Sequence, residues 1–139
     1  MNESRNTAYA ALVLRLALGT MFIAHALLKY FVFTLPGTAQ FFASVGFPGV
    51  LGYVTFGAEL IGGILLVAGV HTGAVAVALI PVLLGATWVH SGNGWLFTSP
   101  NGGWEYPAFW TLTLVVQALL GDGAFALRRV VGVPALQRA

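Results

Sequence analysis

Seven polar side chains interrupt or border long apolar stretches of this chain: Arg15, His25, Lys29, Glu59, His90, Glu105 and Gln117. If those stretches lie in lipid, each needs a reason. A charge at the bilayer centre costs on the order of 3 kcal/mol on insertion scales, so it needs a partner or an escape route. On a helix turning about 100° per residue, Arg15, His25 and Lys29 fall within an arc of about 80°. They form one stripe, with Arg15 and Lys29 about 21 Å apart along the axis. Glu59 shares its face with Gly52, Thr55 and Gly63. Small residues admit a neighbouring helix, so this carboxylate is expected to face protein. Two histidines, two carboxylates and a lysine can pass protons, hold an anion or hydrogen-bond a polar ring carbonyl. A His/Glu metal site is a further option, although no Glu-x-x-His pair or other tight ligand spacing is present. A haem held by His25 and His90 is another.

The elements that position these groups follow from hydropathy. Crossing a hydrocarbon core takes roughly 20 apolar residues. Four stretches qualify as spans, at 8–33, 49–70, 72–90 and 106–121. The expected fold is an all-α integral membrane four-helix bundle in a single domain, 1–139. The first stretch runs longer than a signal-peptide core and reads as a span. His71 marks a tight turn between the second and third, and Pro81 is expected to kink the third. Pro107 fits the first position of the fourth helix. That helix is short, so either it continues through Gly121-Asp122-Gly123 or the bilayer thins beside it. A tail, 124–133, is expected at the interface.

Composition agrees. Hydrophobic residues make up 58% of the 139 positions and charged residues 7%, and the mean hydropathy is +0.88. Soluble domains carry about a quarter of their residues as charges, so lipid must cover most of this exterior. The net charge of +2 is too sparse for nucleic-acid binding. The chain has no cysteine, which excludes disulfides, thiolate metal sites, cysteine-bound iron–sulfur clusters and Cys-x-x-Cys-His haem attachment.

Lysine and arginine set the orientation. Arg5 precedes the first span, and Arg128, Arg129 and Arg138 follow the fourth, whereas the long connections 34–48 and 91–105 contain neither. Both termini are expected on the cytoplasmic side of the membrane. The outer connections carry Phe41, Phe42, Phe47, Trp95, Phe97 and Trp104, and each is expected to form a short interfacial segment capping the bundle. In this frame Arg15 lies about 10 Å deep and Glu59 about 16 Å deep, an offset that an arginine side chain can cover. A buried Arg15–Glu59 ion pair that orders the bundle and a functional role for both are open readings, and Arg15 can also snorkel inward. His25, Lys29, His90 and Glu105 belong to the outer half, where Lys29 can reach headgroups and His90 and Glu105 can be interfacial. Gln117 and Thr113 can hydrogen-bond across helices. Ala58-x-x-x-Gly62 and Ala74-x-x-x-Ala78 offer close-packing edges. The Gly19–His25 and Gly85–His90 segments echo each other, through duplication or chance.

Arg15 to Gly19 with Phe22, His25 and Lys29, then Glu59 with Gly62-Gly63, then Gly102-Gly103-Trp104-Glu105-Tyr106-Pro107 resemble the DoxX family of small four-span membrane proteins, over about residues 10–125. Ala26 departs from the glycine that commonly follows the histidine, which puts tight backbone packing there in question. The family takes its name from a subunit associated with a thiosulfate:quinone oxidoreductase, and other members are linked to redox stress. The resemblance implies the fold and a cell inner membrane, and together with the residues above it leads to a quinone-interacting redox component in which His25, Glu59 and Arg15 are expected to act in catalysis and Lys29, His90, Glu105 and Gln117 to bind substrate. Quinone would be its substrate, the electrons would come from a partner subunit, and the lipid bilayer and further copies of the chain would be its other partners. A non-enzymatic scaffold or assembly factor, and a proton or small-molecule pathway in an oligomer, are the alternatives.

Overall fold

The computed structural model describes residues 3–130. Among them there are helices and turns and no strand: α1 (Glu3–Phe31), α2 (Leu35–Ser44), α3 (Val50–Ala68), α4 (Thr72–His90), a short 3-10 turn (Ser91–Asn93), α5 (Glu105–Leu120) and α6 (Leu127–Val130). Helix α1, helix α3 and the continuous segment Thr72–Asn93 are each long and apolar enough to cross a membrane. Large apolar side chains such as Val13, Ile61, Leu112 and Leu119 cover the exterior, as lipid requires of a multi-pass membrane protein.

The four long helices coincide with the four apolar stretches to within a few residues, apart from the earlier start of α1. Thr34 begins α2 by accepting a hydrogen bond from the Gly37 amide at its Oγ1, so the first connection does contain a short helix. The second holds only the 3-10 turn and a set of hydrogen-bonded loops. Helix α5 starts at Glu105, so Pro107 is its third residue, where a missing N–H still costs nothing. It ends where the Gly121 amide bonds back to the Gln117 carbonyl. The helix therefore stops at the glycines, and its 16 residues span only about 24 Å. The left-handed conformation of His71 (φ 47°) makes the turn into α4, and Pro81 sits inside that helix without ending it. The expected tail is described as far as residue 130; Arg138 lies outside the described residues.

Helix α1 packs chiefly along α3 and α4 along α5, each pair antiparallel, and α2 lies across α3. Small residues set the α1–α3 spacing. A Cβ added at Gly63 would come within 2.9 Å of the Gly19 carbonyl, and one at Gly19 within 2.7 Å of the Gly63 carbonyl. Gly62 packs under Leu79 of α4, and Gly52 under Thr38 and Ala39 of α2. Each small residue on the Glu59 side of α3 thus receives a neighbour. Ala74 and Ala78, by contrast, face outward. Leu18, Phe22, Leu66, Leu79, Leu83 and Leu114 fill the middle of the bundle. Ala26 is fully buried, so the methyl that replaces the expected glycine is accommodated in a closed contact.

Gly57 has open space where a Cβ would go, whereas Gly63 does not. Gly57→Ala is therefore expected to raise the thermal midpoint in detergent, by the roughly 0.5–1 kcal/mol that alanine gains in a helix. Gly63→Ala is expected to lower stability by about 1–3 kcal/mol through overpacking. Thermal unfolding of the two variants side by side checks both.

Candidate functional site

Arg15 is 1% exposed, and its guanidinium ends at one pole of the bundle. Nε donates to the Asp122 carbonyl at 2.9 Å, Nη2 to the Ala124 carbonyl at 2.9 Å, and Nη1 to the Leu66 carbonyl at 3.2 Å and to that of Val67. Leu66 and Val67 close α3, where carbonyls lack helical partners and the helix dipole favours a cation. Gly69 makes room: its φ is +75°, and a Cβ there would meet Ala126 at 2.7 Å and the Arg15 guanidinium carbon at 3.0 Å. Asp122 completes the pole. One carboxylate oxygen accepts from the first amide of α4, at Thr72, at 2.9 Å; the other lies 3.5 Å from Arg128.

This corrects the expected Arg15–Glu59 ion pair. Arg15 spends its donors on carbonyls, and the partner of Glu59 is Lys29. Its ammonium lies 2.7 Å from Glu59 Oε2, and Glu59 is 5% exposed. The α1–α3 register decides the matter, because antiparallel pairing sets Lys29 against Glu59 and Arg15 against the far end of α3. Lys29 therefore does not snorkel. Glu59 Oε1 carries no hydrogen bond among the described residues.

His25 sits one turn from Lys29 on the same face of α1. Its Nδ1 is 2.8 Å from the Met21 carbonyl. Its ring lies 4.8 Å from that of Trp110 in an edge-on arrangement and 6.5 Å from that of Tyr106, nearly parallel. Trp110 also packs on Phe22, at 4.6 Å. Trp110 is 5% exposed, and its indole N–H has no partner among the described residues. Beside it an open pocket of ≈ 330 Å³ is lined by Trp95, Glu105, Tyr106 and Phe109.

The structure thus gathers His25, Lys29 and Glu59 with Tyr106 and Trp110 at the pole opposite Arg15. Glu105 stands at the pocket edge, but Oε1 accepts from the Phe97 amide at 3.1 Å and so shapes the second connection. His90 Nδ1 accepts from Asn93 at 3.3 Å, in the same connection. Gln117 belongs to the Arg15 pole: its amide nitrogen donates to the Gly121 carbonyl at 2.9 Å, while its Oε1 and the Thr72 hydroxyl are buried without partners. Among the described residues no three His, Asp or Glu converge as a metal-ligand set. Sequence reasoning missed Trp110 and Asp122. Trp110 is four residues after Tyr106 and thus on the same helical face, a signal lost in an apolar span. Asp122 read only as part of a helix stop.

The sequence model of the DoxX family matches residues 10–92, and the chain belongs to that family. The Bacillus subtilis (strain 168) protein named "Putative oxidoreductase CatD" is 41% identical over 75 residues, which are 54% of this chain and 54% of that protein. The chain therefore matches about half the length of this curated relative. No solved structure matches.

The two poles make opposite predictions for double-mutant cycles. Arg15→Met strands at least three carbonyls and is expected to cost about 3 kcal/mol or more. It should add to Glu59→Gln within about 0.5 kcal/mol, whereas Lys29→Met and Glu59→Gln, which share a bond, should not add. Denaturant unfolding in detergent measures both cycles.

Proposed function

We propose that this DoxX-family chain is a membrane redox component whose Lys29-pole site binds the head group of a quinone and exchanges protons with it. The observation that carries this reading is the Lys29–Glu59 pair buried beside His25 and the Tyr106 and Trp110 rings. A quinone head group is a flat apolar ring with polar oxygens at its edges. Aromatic faces suit the ring, and an ammonium, an indole N–H and an imidazole suit the oxygens. Tyr106, which stacks near His25, also lines the open pocket with Trp95, Glu105 and Phe109.

Converting a quinone to its hydroquinone takes two electrons and two protons. Glu59 and His25 are the groups placed to give or accept the protons, and Lys29 holds the carboxylate charge between transfers. The electrons are supplied by a partner redox subunit. Arg15 has no part in this chemistry, because all the acceptors it meets are structural carbonyls. The name of the Bacillus subtilis relative supports a redox role, and the basic residues around the termini support an inner-membrane orientation with both ends cytoplasmic. In that orientation the site opens toward the outer leaflet. The apolar layer of Leu18, Phe22, Leu66 and Leu114, each at most 2% exposed, separates the site from the polar Arg15 pole. It argues for protons entering and leaving on one side, and against a pathway through a single bundle.

The test is the prenyl-quinone content of gently purified protein, wild type against Glu59→Gln. Near-stoichiometric quinone in the wild type and a loss of tenfold or more in the variant is the expected result. Equal trace amounts in both would leave Glu59 as a packing residue and return the chain to a scaffold role.

A further inference from the structure

We infer that this site is selective for the reduced, dihydroxy form of its aromatic ligand, holding one phenolic hydroxyl between the Trp110 indole N–H and His25 Nε2. The inference rests on the reading of the site as a quinone site and specifies which form it prefers. Two atoms carry it. The first is Trp110 Nε1, buried without a hydrogen-bond partner. An indole nitrogen is a donor only, and leaving a buried donor unpaired costs free energy that an arriving acceptor would recover. The second is His25 Nε2. The Met21 carbonyl, 2.8 Å from Nδ1, can only accept, so the ring proton of a neutral His25 sits on Nδ1 and Nε2 presents a lone pair. That lone pair points away from the bond to its own helix.

The two rings meet edge-on at 4.8 Å, so a donor and an acceptor that are both unpaired among the described residues belong to adjacent rings. A ketone oxygen accepts from the indole but offers nothing to His25. An ammonium does the reverse. A hydroxyl accepts from one and donates to the other at once. Phe22 and Tyr106 both pack on the Trp110 ring, and such aromatic surroundings suit a hydroxyl borne on a flat ring. Glu59 Oε1, free of hydrogen bonds among the described residues, is a further acceptor nearby, and it too favours a ligand that donates.

Durohydroquinone and duroquinone are the probes, titrated anaerobically into the full chain in detergent. The loss or gain of one hydrogen bond changes affinity by about tenfold, so the quinol is expected to bind about tenfold tighter. For a two-electron couple that preference raises the midpoint potential of the bound pair by about 30 mV. Trp110→Phe keeps a ring and removes the N–H that both forms can use, and should weaken both alike, whereas His25→Phe removes the acceptor that only the quinol can use and should abolish the preference. In protein with ¹⁵N-labelled indoles, the signal absent from Trp110→Phe should move downfield on adding either form, and at about tenfold lower concentration with quinol. If both forms bind equally, or the indole signal stays still while quinol binds (a water molecule alone serving that donor), the preference is overturned and the quinone site stands. If neither form binds, the function proposed above falls and the preference with it. Should Trp110→Phe fail to fold, the affinity ratio and the indole signals of the wild type still decide.

Discussion

A guanidinium cannot rest inside a lipid-bathed bundle unless nearly every N–H is given an acceptor, and the position of Arg15 follows from that demand. It finds its acceptors where helices end, because a helix terminus is the one place in a membrane protein where backbone carbonyls lack partners. The C-terminus of α3 supplies two and the turn after α5 supplies two more. Three segments distant in sequence are thereby held to one side chain. Asp122 extends the arrangement by capping α4. The left-handed Gly69 and the glycine-flanked Asp122 turn follow from the same requirement, since the chain must reverse tightly enough to point its carbonyls at one cation.

The Arg15 pole is closed by hydrogen bonds to backbone, and the opposite pole holds the Lys29–Glu59 pair. The Lys29–Glu59 pair is partly exposed on its lysine side, at 16%, and nearly closed on its glutamate side, at 6%. Such a pair is poorly explained as a stabilising device, because desolvation offsets most of the attraction between buried ions. Between the poles the leucine and phenylalanine layer keeps the two polar groups from sharing water.

Hydropathy alone made the helices legible, and the face of Glu59 was legible from its glycines, because small residues at helical spacing have few meanings inside a membrane. Lys29, His25 and Glu59 were singled out by the cost of burying them. What could not be read was the pairing. Depth along separate helices put Arg15 within reach of Glu59 and sent Lys29 toward the headgroups, whereas the actual pairing depends on the α1–α3 register, which the Gly19–Gly63 contact sets. Backbone carbonyls as partners for Arg15 were invisible for a different reason: every residue has one, and only the geometry of a helix end makes it available. Trp110 was hidden because an aromatic in an apolar span ordinarily signals packing, and its significance rests on a donor with nothing to meet. His90 and Glu105 were noticed for their types but serve the fold of the second connection.

The unequal bonding of the two poles has a mechanical meaning. At the Arg15 pole, charge-assisted hydrogen bonds run from α1 to the end of α3 and to the turn after α5, and Asp122 ties that turn to α4. At the Lys29 pole one ion pair joins α1 to α3, and only ring contacts join α1 to α5. A bundle fastened in this way resembles tongs with the pivot at one end. Separating α1 from α5 at the open tips breaks no hydrogen bond, while the same movement at the pivot breaks several. The gap that a flat ring requires therefore costs least between the helices that carry His25 and Trp110.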